Sequence, residues 1–123
     1  NKDFIESARR WRKITGGGLR QAGILAAGGL FALSHNIERL AQDHERAKLL
    51  ASNLRALGFA VEPVQTNMLF VQSGPHDPKQ LCEKLLEQGI KVSVAPRLRL
   101  VTHLDIDDAD IAKISSAFRQ IVG

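Results

Sequence analysis

The sequence predicts a small α/β domain of the α+β kind, in which N-terminal helices are followed by a small, mostly antiparallel sheet covered by helices. Three observations carry this. Up to Gly58 the apolar residues recur at spacings of three and four, the period of helices packed on one side. Beyond Gly58 they gather in short runs rich in branched residues, bounded by Gly, Pro, Asn and Asp, with two helical stretches between and after them. And 123 residues with 44% hydrophobic content suffice for one modest core but not for two full-sized domains.

Taken in order, residues 2–13 place Phe4, Ile5, Ala8 and Trp11 on one side and arginines on the other, a basic amphipathic helix. Gly16, Gly17 and Gly18 end it in an exposed loop, because successive glycines cannot extend a helix cheaply. A second helix over 19–33 is rich in Ala and Gly nearly all round, a composition suited to close packing against another subunit. Ser34 reads as the N-cap of a third helix, with Ile37, Leu40, Ala41, His44, Ala47, Leu50, Ala51, Leu54 and Leu57 on its apolar stripe and Gly58 as its stop. Asp43 is assigned to its solvated side. Strands are predicted over 59–64 and 67–72, and Asp77-Pro78 opens a helix over 78–88 as cap and first helical residue. Two more strands follow over 91–95 and 98–103, and Asp105 or Asp107 opens a terminal helix through Ile111, Ile114, Phe118 and Ile121. The resulting domain division is 1–33, interface helices and loop, and 34–123, a small C-terminal domain.

Composition sets several classes aside. The longest apolar stretch, 22–33, is shorter than the roughly 20 residues a membrane span requires, so no membrane association is expected. The opening Asn-Lys-Asp-Phe-Ile has neither an initiator Met nor the order of a signal peptide, so further chain is expected upstream. One cysteine, Cys82, allows no internal disulfide or cysteine metal cluster and suits a cytoplasmic setting. The net charge of +4 is local: residues 1–20 hold six basic and two acidic side chains, and the rest is balanced. With no Tyr and few aromatics, that favours a localised anion site over nucleic acid.

Two segments can carry chemistry. In Arg-Lys-Ile-Thr-Gly-Gly-Gly-Leu-Arg-Gln (12–21), backbone N–H groups freed by glycine and the flanking Lys13 and Arg20 suit a phosphate, although a plain helix-to-helix turn has the same composition. It lacks the spacing of a Walker loop. In Pro-Arg-Leu-Arg-Leu-Val-Thr-His-Leu-Asp (96–105), Arg99 alternates with Leu98 and Leu100 and so lies on the opposite strand face. There a guanidinium either clamps a carboxylate or simply meets solvent. His103 and Asp105 are read as closing the strand end rather than as an acid–base pair. His35, His44 and His76 lack metal-ligand spacing, and no metal site is expected.

These segments also carry a family resemblance. The strings Ala-Arg-Arg-Trp-Arg-Lys-Ile-Thr-Gly-Gly-Gly-Leu-Arg-Gln-Ala-Gly-Ile-Leu-Ala-Ala (8–27), Glu-Arg-Leu-Ala-Gln-Asp-His (38–44), Gln-Thr-Asn-Met-Leu-Phe-Val (65–71) and Arg-Leu-Val-Thr-His-Leu-Asp (99–105) resemble the C-terminal portion of the low-specificity L-threonine aldolases. These are pyridoxal-phosphate enzymes of the aspartate-aminotransferase fold type that cleave L-threonine or L-allo-threonine to glycine and acetaldehyde. The resemblance implies that no catalytic residue lies in this chain, the Schiff-base lysine standing upstream with most of the cofactor's contacts. It assigns Arg99 to the substrate α-carboxylate, and Lys13 and Arg20 to the cofactor phosphate of a neighbouring subunit in a dimer of dimers. On its own such a chain is expected to be inactive. The alternatives are another pyridoxal-phosphate lyase of the same fold type, or a non-catalytic anion-binding or dimerisation module.

Overall fold

The computed structural model describes residues 1–122. Its elements run α1 (Lys2–Ile14), α2 (Gly23–His35), α3 (Leu40–Ala56), β1 (Met68–Gln72), α4 (Pro78–Glu87), β2 (Arg97–Val101) and α5 (Asp108–Val122). They form two compact units, Asn1–Ile37 and the chain from Glu38 onward.

In the first unit, the Asn1 side chain caps α1 by accepting the Phe4 N–H at 2.8 Å. Neither α1 nor α2 buries a residue. Helix α2 starts at Gly23, later than expected, and runs on through Ser34 to His35. Ser34 therefore lies in its last turn and caps nothing, a correction to the sequence reading.

The second unit holds the core. Helix α3 buries Ala47, Leu50, Ala51 and Leu54, and it also buries Asp43, only 2% exposed. That overturns the assignment of Asp43 to the solvated side: it lies four residues before Ala47 and seven before Leu50, on the same stripe. Its carboxylate is compensated by Arg39 one turn earlier, at 3.1 and 2.7 Å in a fork-to-fork pair. Arg39 Nε is the one buried side-chain nitrogen or oxygen among the described residues with no partner. Gly58, at φ +90°, ends α3 by letting the chain double back so that the Phe59 N–H reaches Leu54 C=O at 3.1 Å.

The sheet has two antiparallel strands, with Phe70 opposite Arg99 and Gln72 opposite Arg97. Leu69, Val71 and Leu98 point to the core, where Phe118 of α5 meets Phe59 edge-on at 5.2 Å. The α+β class is as the sequence predicts, but two of the four expected strands do not form. Residues 59–64 attach to β1 through Glu62 N–H to Phe70 C=O and Gln72 N–H to Ala60 C=O, and Pro63, lacking a donor, stops the ladder there. Residues 91–95 lead into Pro96 without joining a strand. Helix α4 begins as expected, with Asp77 accepting the Gln80 N–H at 2.9 Å and Pro78 at the first turn. Helix α5 is opened by a reciprocal pair, Asp107 accepting the Asp110 N–H and Asp110 accepting that of Asp107.

Candidate functional site

The glycine loop closes the end of α1. Thr15 Oγ1 donates to Trp11 C=O at 2.9 Å, and the Gly16 and Gly17 N–H groups donate to Lys13 and Arg12 C=O at 3.3 and 2.8 Å. Gly16, at φ +86°, makes that reversal possible. Two of the amides expected to face an anion are thus committed to helix carbonyls, because the last turn of any helix leaves acceptors to be satisfied. What the loop offers an anion is side-chain charge. Lys13 folds back over Gly18 so closely that a Cβ there would stand 2.5 Å from Lys13 Cδ and 3.1 Å from Nζ. Lys13 and Arg20 are both exposed, and among the described residues neither has an acidic partner. Two uncompensated cations beside a loop that needs glycine at Gly16, with φ +86°, fit a phosphate monoester.

In the second unit, Arg99 stands on the sheet face away from the core, because Leu98 and Leu100 on either side of it turn inward. Its side chain is exposed and among the described residues has no hydrogen-bond or ion-pair partner. It borders a cavity of about 330 Å³, together with Lys91, Lys113, His103, Leu100 and Ile106.

Arg97, two residues before Arg99 on the same face, is in the opposite situation. Its Nε and Nη2 donate to the two oxygens of Glu62 at 2.6 and 2.7 Å, and its guanidinium lies over the Phe70 ring, 3.6 Å from the centroid. Gln72 Nε2 donates to the same Glu62 at 3.2 Å. The Arg97 guanidinium holds the Glu62 carboxyl below its ordinary range, and the carboxylate in return raises Arg97. Neither Arg97 nor Glu62 is singled out by the sequence reading. The alternation that puts Arg99 outward also puts Arg97 there, while Glu62 lies 35 residues away and is invisible to local pattern.

His103 Nδ1 lies 3.2 Å from the Asp105 N–H and 3.6 Å from the Asp105 carboxylate, a contact within three residues that shapes the strand end. Cys82 is buried, and desolvation pushes its thiol up. Among the described residues no cluster of His, Cys, Asp or Glu could hold a metal ion, and no helix is long and apolar enough to cross a membrane.

A family model described as beta-eliminating lyase matches residues 1–74. The low specificity L-threonine aldolase of Escherichia coli (strain K12) is 44% identical over 119 residues, 97% of this chain and 36% of that protein. The low-specificity L-threonine aldolase 1 of Arabidopsis thaliana is 38% identical over 128 residues, again covering 36% of that protein and 98% of this chain. The chain therefore spans little more than a third of the length of these curated relatives. A crystal structure of a candidate aminotransferase from Burkholderia pseudomallei superposes with a TM-score of 0.59 at 19% identity, over 68% of this chain and 26% of that one, a likeness of fold.

Proposed function

Since the chain belongs to the beta-eliminating lyase family, we propose that it is the C-terminal portion of a pyridoxal-phosphate-dependent threonine aldolase, which cleaves L-threonine or L-allo-threonine to glycine and acetaldehyde. The observation that carries the reading is Arg99: a strand-mounted guanidinium, open to solvent and without an acidic partner, while its neighbour Arg97 is paired with Glu62. Arg99 takes the substrate α-carboxylate in a two-pronged pair. That would fix the orientation of the amino acid and of the Cα–Cβ bond to be broken. Pyridoxal phosphate, when bound, supplies the electron sink for the cleavage. Lys13 and Arg20 hold the phosphate of a neighbouring subunit's cofactor.

Residues 1–33 complete the large cofactor domain, and residues 34–123 form the small domain. The exposed Ile24, Leu25, Leu30 and Phe31 support an interface role for the first unit, within a cytoplasmic dimer of dimers. The catalytic lysine and most of the cofactor's contacts lie in the upstream part of the enzyme.

The test is made in the full-length enzyme. Arg99→Gln should raise the KM for L-threonine by roughly 10- to 100-fold, the loss of one charge-assisted pair. Near-normal kcat/KM would remove Arg99 from the substrate site. Arg20→Gln should weaken pyridoxal-phosphate retention, and unchanged affinity would detach it from the phosphate. Product analysis with L-threonine and L-serine separates aldol cleavage from elimination by another lyase of the same fold type.

A further inference from the structure

The cavity that Arg99 borders lies where an expected strand does not form. Phe70 C=O receives the Glu62 N–H and Gln72 N–H goes to Ala60 C=O, so both residues turn their backbone polar groups away from β2. In an antiparallel ladder the residue opposite does the same, and Arg99, opposite Phe70, therefore directs its N–H to the free edge of the sheet. Among the described residues no backbone hydrogen bond joins 91–95 to that edge, although 90–93 line the same cavity of about 330 Å³. The space suits a small organic molecule, at the lower end of the range of about 300–1,000 Å³ usual for ligand sites.

Its charge is one-sided. Arg99, Lys91 and Lys113 line it against a single carboxylate, Asp110, a net of +2 with His103 neutral. Among the described residues none of the three cations has an ion-pair partner, whereas Asp110 is occupied in accepting the Asp107 N–H at 3.1 Å. Lys113 Nζ stands at the C-terminal end of α4, 3.4 Å from where a Cβ on Gly89 would be, a place where the helix dipole favours an ammonium. The wall also includes apolar Ile106 and Ile114, both packed against the core.

Resting on the reading of Arg99 as the carboxylate site, we propose that this cavity takes short dicarboxylates. One carboxylate lies in the fork of the Arg99 guanidinium and the second on Lys91 and Lys113, with the carbons between them against the apolar wall. Two negative charges then meet a cavity whose own balance is +2. L-Threonine, with one carboxylate, uses the Arg99 end alone. A four-carbon diacid therefore competes with the amino acid for Arg99, and Lys91 and Lys113 are the residues that favour it.

The experiment is calorimetric titration of the pyridoxal-phosphate-loaded, full-length enzyme with succinate and with butyrate, which match in carbon number and differ by one carboxylate. Succinate should bind about tenfold more tightly. In Lys91→Gln/Lys113→Gln, two exposed positions, that preference should be lost while the butyrate Kd stays where it was. Equal affinity for the two acids in the unaltered enzyme, or a preference that survives the double variant, overturns the proposal. Arg99→Gln separates it from the reading beneath it. Weakened binding of both acids there supports the carboxylate site, so that a missing succinate preference overturns the lysine end alone. Unchanged butyrate binding removes Arg99 from the site, and the proposal with it.

Discussion

The two units of this chain solve the problem of apolar surface in opposite ways. From Glu38 onward, Leu50, Leu54, Leu69, Leu81, Leu98 and Phe118 are almost wholly withdrawn from solvent around one core. In Asn1–Ile37 nothing is buried, and Phe4, Trp11, Ile24, Leu25, Leu30 and Phe31 are all at least 59% exposed. Apolar area of that extent is seldom left to water in a stable monomer. The second unit has what it needs to fold, whereas the first is shaped for a surface it does not itself provide.

The most drastic way to break this comparison is to cut at the boundary. Residues 38–123 expressed alone should melt cooperatively, whereas the 1–37 peptide should be weakly helical and prone to associate, as circular dichroism and sedimentation would show. A cooperative, monomeric 1–37 would refute the contrast. Next in size, Phe118→Ala should destabilise the second unit by about 3–5 kcal/mol, as a cavity in a closed core does. Leu25→Ser, by contrast, should leave its denaturation midpoint where it was. Asp43→Ala strands Arg39 against the core and should cost about 2–3 kcal/mol, less than a fully enclosed pair because Arg39 keeps 18% of its side chain in water.

The smallest effect expected is at Glu62. Because Arg97 lowers its carboxyl in the folded state from the ordinary 4.5, the pair's contribution is fully present above that value. It fades as pH falls through the lowered one. Glu62→Gln should flatten that acid limb in a pH series of melts. High salt should shrink the difference, since Glu62 and Arg97 are 37% and 50% exposed.

How far the sequence reveals all this depends on whether the deciding partner is near or far along the chain. Helices α1, α4 and α5 follow from spacing and from caps such as Asp77-Pro78, whose partners lie within one turn. Ser34 misleads because a capping side chain can equally sit in the last turn of a helix that runs on past it. The 59–64 segment has the composition of a strand, yet Pro63 in its middle removes a donor, and that single residue outweighs the pattern. Asp43 goes astray because charge is a poorer guide than position when an arginine four residues away can accompany it inside. Arg99 is legible from alternation alone. That it differs from Arg97 is not, since the difference is made by Glu62, Phe70 and Gln72 from another part of the chain.

Thr102 sets a time scale for the site. It is 2% exposed and spends every polar group it has: its N–H goes to Asn67 C=O at 3.0 Å, its hydroxyl to Asp43 C=O at 2.6 Å, and its own carbonyl receives Asn67 Nδ2 at 2.7 Å. Three places separated by 35 and 59 residues meet at this one side chain, three positions beyond Arg99. An amide held in that way should exchange its hydrogen only when the whole unit opens, orders of magnitude more slowly than the amides of a fraying strand end. The backbone beneath Arg99 is then stationary while a ligand comes and goes, and the guanidinium has only its own side-chain torsions to search, which takes picoseconds to nanoseconds.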